Sequence, residues 1–321
     1  MFIHKLDPSM NFLPGLLLVL VFLSVYQINA QEFEKALQSA NSAQNPNVSI
    51  SALRQVESAI DQVADSLKVQ FYLSMGIAYG QLGKRDTSLY YLDQVEHLAI
   101  DDQDNVLINI WNAKGLVYMG SGEFGESLAY YQKALKLAES KTDVESRKLA
   151  IKIIGNAAGV FYQIGDLTSA IDYMKRAISL SESIGLTNGL GVSNLRMAII
   201  YKDLDSLDQS ISRLQLANEM LTDIGDTIML LYSKNTLGGI YEKQSNHIAA
   251  LNEYIDAENL AIAISNTEDI VHTQASIANL YLNIHRYDKA KQKALQILER
   301  ASESQLTDRI SQAHDILYKV H

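Results

Sequence analysis

One aromatic residue returns along most of this chain at a nearly constant interval. It stands at Tyr79, Tyr118, Phe161, Tyr201, Tyr241, Tyr281 and Tyr318, successive members lying 37 to 43 residues apart. Three residues before each of the first six comes a small residue: Gly76, Gly115, Ala158, Ala198, Gly238 or Ala278. Nine residues after it comes Ser88, Ser127, Ala170, Ser210, Ala250 or Ala290, and seven further on Val95, Ala134, Ala177, Ala217, Ala257 or Ile297. Small side chains at fixed offsets let two helix backbones approach, and the aromatic fills the space between them. A fixed period of about 20–50 residues marks a stacked array, not a single globule.

The unit is clearest in residues 109–138, NIWNAKGLVYMGSGEFGESLAYYQKALKLA. Apolar and small residues fall at helical spacing on both sides of Gly120-Ser121-Gly122. Two amphipathic helices joined by such a turn make a hairpin that cannot bury its apolar faces alone. Neighbouring copies must supply the missing surface. All three prolines (Pro8, Pro14, Pro46) lie near the N-terminus, so residues 47–321 are free of that helix breaker. The predicted fold is all-α, an α-solenoid of about thirteen to fifteen helices in antiparallel pairs. It comprises a divergent N-terminal capping repeat at 31–65, six repeats over 66–305, and the first helix of a seventh, incomplete repeat at 306–321.

These linked positions resemble the tetratricopeptide repeat family. Repeat two carries nearly the whole pattern as Trp111, Gly115, Tyr118, Gly122, Ser127, Tyr131 and Ala134. The resemblance covers roughly residues 66–321. Later repeats depart from it: the turn glycine, present at Gly83, Gly122 and Gly165, gives way to Asp205, Ser245 and His285. The proline that often closes a repeat is absent. The period near 40 is longer than the family's usual 34 and is similar to that of bacterial signalling proteins.

The resemblance implies a right-handed superhelix that is not an enzyme and holds a protein or peptide ligand in a concave groove lined by first helices. Carrying over the family's inward-facing positions gives Asn109, Asn112 and Leu116 in repeat two, then Lys152, Asn156 and Tyr162 in repeat three. Repeat four offers Arg196 and Lys202; repeat five, Tyr232, Asn235 and Glu242; repeat six, His272 and Asn279. Of these, Asn109, Asn112, Lys152, Asn156, Arg196, Tyr232, Asn235 and Asn279 are the expected partner-binding residues. Asn112, Asn156 and Asn235 lie five or six residues before the register aromatic, and an amide there can both donate to and accept from an extended peptide backbone. Lys152 and Arg196 suit a carboxylate or other anion.

Catalysis finds no foothold. The chain has no cysteine, which removes thiol nucleophiles, thiolate metal sites and disulfides together. Its seven histidines form no H-E-x-x-H spacing, and neither G-x-S-x-G nor a P-loop occurs. Gly120 to Gly125 matches G-x-G-x-x-G, yet a dinucleotide site needs a strand before it, and here a helix precedes. Asp101 to Asn105 has the charge of a calcium loop without its glycine or closing glutamate. No cofactor and no metal are expected. A formal net charge of -10 counts against a nucleic-acid partner.

The two ends differ from the middle. Phe12 to Tyr26 is apolar except for Pro14, Gly15 and Ser24, and Ala30 precedes polar Gln31-Glu32. That pattern predicts a signal peptide over 1–30, cleaved after Ala30, with export to the periplasm or cell envelope; retention as a membrane anchor is the alternative. In the capping repeat, Asn45-Pro46-Asn47 is the expected turn, with Ser49 or Ser51 as the helix cap. Residues 306–321 put Ile310, Ala313, Leu317 and Val320 on one stripe, while Ile316 and Tyr318 suit an outer face poorly. This segment reads as a closing lid, as the start of a repeat that continues past the chain in hand, or as a homodimer surface. The expected function is an exported, non-catalytic binding scaffold. The alternative is the sensor region of a longer signalling protein, with a membrane helix and a histidine kinase or DNA-binding output beyond residue 321.

Overall fold

A computed structural model of the chain describes residues 30–43, 45–98, 104–304 and 306–320. The leader expected over 1–30 therefore lies outside the described residues, apart from Ala30. The described residues are all-α. After α1 (30–42) come α2 (Pro46–Arg54), a short 3-10 helix (Glu57–Gln62), α3 (Asp65–Gln81), α4 (Arg85–Leu98), α5 (Asp104–Gly120) and α6 (Phe124–Glu139). Then follow α7 (Val144–Gln163), α8 (Leu167–Ile184), α9 (Thr187–Asp203), α10 (Leu207–Asp223) and α11 (Thr227–Lys243). The last four are α12 (His247–Ala263), α13 (Thr267–Asn283), α14 (Tyr287–Glu303) and α15 (Thr307–Lys319). The chain divides into two compact units, residues 1–130 and 131–321. Helices adjacent in sequence pack together, as α3 with α4, α7 with α8, α9 with α10, α11 with α12 and α13 with α14. This is an α-solenoid built of consecutive helix pairs.

Each hairpin turns by one device. The carbonyl of the register aromatic accepts the N–H five residues on: Lys84 to Tyr79 (3.0 Å), Glu123 to Tyr118 (2.9 Å), Asp166 to Phe161 (2.9 Å), Ser206 to Tyr201 (2.9 Å), Asn246 to Tyr241 and Arg286 to Tyr281 (both 2.8 Å). Such a six-to-one bond requires a left-handed residue just before its donor. Gly83, Gly122 and Gly165 supply it with φ of 67°, 77° and 83°. Asp205, Ser245 and His285 adopt the same conformation at 57°, 58° and 57°. The three departures from the family's turn glycine keep its backbone and lose only its ease.

Helix starts are set mainly by short polar side chains. Asp143, Asp166, Asp226, Asn246 and Asn266 each accept an N–H three residues on, which satisfies a first-turn donor. The cap of α2 differs from expectation. Asn45 takes that role by accepting from Asn47 N–H, with Pro46 at the first helical position, where its missing N–H costs nothing. Ser49 instead donates to the carbonyl of Ala40 at 2.8 Å and ties α2 to α1.

Burial is divided among junctions. In the first unit, Phe33, Leu37, Leu53, Phe71 and Met75 form one core, with the Phe33 and Phe71 rings 5.5 Å apart. In the second, Leu195, Ala198, Leu214, Ala217 and Leu237 form another, and Val271, Ala294, Ile297, Ala313 and Ile316 a third. Stability then approximates a sum over neighbouring repeats. The last core corrects one expectation: Ile316 faces inward at 1% exposure, whereas Tyr318 is 85% exposed. Among the described residues no helix is long and apolar enough to cross a membrane.

A candidate binding cleft between first helices

In the second unit the first helices α7 and α9 leave a cavity of about 210 Å³ between their N-terminal halves. From α7 it is lined by Lys148, Lys152 and Gly155, spaced four and three residues apart and so on one face. From α9 come Asn188, Ser193 and Arg196, with Ile151 and Val192 as the apolar part of the wall. Lys148 pairs with Glu145 at 2.7 Å. No carboxylate lines the cavity, and among the described residues neither Lys152 nor Arg196 has an ion-pair partner.

Gly155 is what lets the two helices share this space. A β-carbon there would stand 2.6 Å from Nη1 of Arg196, so the guanidinium lies over a bare stretch of α7 backbone. Arg196 keeps an exposed flank. Burial of its charged end lowers its pKa, an effect opposed by the nearby Tyr131 hydroxyl. An arginine so shifted still carries its charge. At the rim α9 begins after Leu186, which offers no side-chain cap to the first-turn N–H groups. Asn188 donates its amide to Asp226 at 3.0 Å.

The structure brings together two of the eight predicted residues, Lys152 and Arg196. The others lie apart from that cleft's lining. Asn109 donates to Asn105 in its own helix at 2.8 Å. Asn112 and Asn156 are 5% and 8% exposed. Asn235 donates to the Thr273 hydroxyl at 2.9 Å, joining α11 to α13. Tyr232 presents its hydroxyl to the Asp269 carboxylate, and burial raises the tyrosine's pKa. Asn279 is half-buried on α13. Of the further inward positions, Tyr162 donates to Asp203 across α7 and α9. Glu242 accepts from Tyr254 and Asn283.

Sequence reasoning missed Gly155, Asn188 and Ser193. A glycine inside a helical pattern is a signal of close approach, but which side chain approaches is decided by the neighbouring repeat. Among the described residues no group of three or more His, Asp or Glu could hold a metal ion. Gly122 serves as a left-handed turn residue, and nothing stands within 4 Å of where β-carbons on Gly120 and Gly125 would lie.

This geometry defines a tetratricopeptide-like helical-repeat protein. Residues 106–183 match the tetratricopeptide repeat family. No curated protein sequence matches the chain. Among solved structures, aspartyl phosphate phosphatase F from Bacillus subtilis is similar at a TM-score of 0.66 and 16% identity, over 91% of this chain and 76% of that one. A Rap protein complexed with competence and sporulation factor has a TM-score of 0.63 and 14% identity, over 90% and 80%. The apo quorum sensor NprR from B. thuringiensis has a TM-score of 0.56 and 13% identity, over 91% and 81%. At such identities the likeness is one of fold.

Proposed function

We propose that this chain is an exported, non-catalytic scaffold that holds a protein or peptide segment along a concave face made by its first helices. The observation that carries the reading is the pair Lys152 and Arg196, two charges that have no ion-pair partner among the described residues, in a cleft between successive first helices. Both side chains remain solvent-accessible, so an anionic group on a partner can reach them and gain charge-assisted hydrogen bonds. The similar Rap structure contains a bound factor, which supports ligand-holding as a use of this fold. Capture by the purified chain from a cell-envelope extract tests it. A protein should be retained by the wild type and lost from K152A/R196A; retention of nothing by either would sink the reading.

Export rests on the apolar run from Phe12 to Tyr26 and the small Ala30 before Gln31. Cell fractionation followed by N-terminal mass analysis should find a mature chain starting at Gln31 in the envelope. An intact Met1 in the cytoplasmic fraction would refute it. The likeness to a quorum sensor favours a second reading, the sensor region of a longer signalling protein. Sequencing the gene past the codon for His321 tests that directly: an in-frame output domain supports it and an immediate stop refutes it.

A further inference from the structure

We infer that the cleft between α7 and α9 takes a doubly charged oxyanion, a phosphate-type group carried by the ligand. This rests on the scaffold reading and names the chemistry that one of its subsites accepts. The argument begins with charge. Three cationic side chains, Lys148, Lys152 and Arg196, line the cavity with Ser193 and Asn188; among the described residues no acidic one lines it, though Asp226 outside holds the Asn188 amide at 3.0 Å. Glu145 answers Lys148 from outside. Two positive charges remain, and a single carboxylate would balance only one of them. A dianion engages both with charge-assisted hydrogen bonds, where a carboxylate leaves one of them unused. A phosphate ester near neutral pH carries a charge of about -1.5 to -2 and three acceptor oxygens, which matches both the count and the donors.

The shape agrees with that assignment. Arginine presents a rigid planar fork suited to two oxygens, and lysine adds a point charge from the side. The fork lies against α7 where Gly155 has no side chain to displace it. Ser193, 4% exposed, brings a hydroxyl to the wall. A cavity of about 210 Å³ exceeds the roughly 30 Å³ share of one liquid water several-fold. It therefore has room for a tetrahedral oxyanion with ordering waters.

Calorimetric titration of the full chain with inorganic phosphate, O-phosphoserine and acetate tests this. Phosphate and O-phosphoserine should each bind at least about ten times more tightly than acetate, as expected when a second charge-assisted bond is made. Affinity should fall as pH drops from 7.5 to 5.5, because the second phosphate proton binds near pH 6. K152Q and R196Q should each weaken phosphate binding by roughly ten-fold or more. G155A should weaken it without removing any charge, by pushing the guanidinium away. Its thermal melt should hold or rise, since alanine is the better helix former. Binding of O-phosphoserine but not inorganic phosphate would place the group on a modified protein partner; binding of both would admit a free phosphate ligand. Acetate binding as tight as phosphate, or phosphate binding unchanged in K152Q/R196Q, would overturn the inference. Protein capture that persists while neither inorganic phosphate nor O-phosphoserine binds would remove this inference and leave the scaffold reading standing. Phosphate binding without any protein capture would do the reverse.

Discussion

The Ser210 hydroxyl donates to the carbonyl oxygen of Ala198 at 2.6 Å, bridging the second helix of a repeat to the small residue of its first. The same bond joins Ser88 to Gly76 at 2.5 Å and Ser127 to Gly115 at 2.7 Å. All three serines are fully buried, as are the alanines at this position in the other repeats, Ala170, Ala250 and Ala290. The site therefore accepts either a hydroxymethyl or a methyl side chain. Ser210→Ala should lower stability by about 0.5–1.5 kcal/mol, the net value of one neutral hydrogen bond. Urea denaturation checks it: the midpoint should fall with the slope unchanged. A loss above about 3 kcal/mol would mean that the hydroxyl positions the helix pair and does more than add one bond.

The turns allow a test of opposite sign. Ser245 holds φ of 58° and Gly165 holds 83° at equivalent places. A left-handed conformation costs an ordinary residue roughly 1–2 kcal/mol, and glycine escapes most of it. Ser245→Gly should thus raise the thermal midpoint, by up to about 1 kcal/mol of stability. Gly165→Ala should lower it by a similar amount, because nothing crowds the added carbon and only backbone strain remains. His285 is the harder case, since its Nδ1 also meets the Tyr287 hydroxyl at 2.9 Å, and removing it loses that contact. A drop in midpoint for Ser245→Gly would refute the account.

Gly238 tests the close approach of the paired helices. A β-carbon there would meet the ring of Tyr254 at 2.5 Å, and that ring is only 5% exposed. Alanine would gain about 1 kcal/mol of helix propensity, but overpacking typically costs about 1–3 kcal/mol. Gly238→Ala should therefore destabilise. The cost should shrink when Tyr254→Leu is made alongside it, which a double-mutant cycle measures as coupling. Strict additivity would show that the ring yields freely.

Much of this was legible in the chain because the aromatic, the small residue and the turn recur together. Tyr241, Gly238 and Ser245 each occupy the role their register assigns. Asp205, Ser245 and His285 depart from the turn glycine in composition but not in conformation; a residue with a side chain is held left-handed when the helix pair on each side fixes the turn. The site was legible in part. Lys152 and Arg196 could be placed on inward positions of their helices, and the cleft joins them. Asn235 could be placed there too, yet its bond to Thr273 depends on a residue 38 positions away. Which polar side chains a neighbouring repeat engages is set by packing between units, and no single-repeat pattern encodes it.

The pH response of the second unit should carry the mark of Asp269. This carboxylate is 7% exposed, and its Oδ2 has no hydrogen-bond partner. Burial raises its pKa, with Glu268 adding to the rise; the Tyr232 hydroxyl, His272 and Arg309 pull the other way without cancelling it. The folded chain therefore holds this proton more tightly than the unfolded one, where an ordinary aspartate releases it near pH 3.9. Linkage then requires stability to fall as pH rises from that value through the raised folded one. His272, lowered by burial and by Arg309, acts with opposite sign: the unfolded chain gains its proton first, so stability falls as pH drops below about 6.5. Asp269→Asn keeps the size of the side chain and an acceptor for Tyr232, and removes only the carboxylate's titration. Stability measured by urea at pH 3.5 and at pH 7 should improve for this variant relative to wild type on going to the higher pH. Parallel curves for the two proteins across that interval would show that the buried carboxylate titrates as if it were exposed.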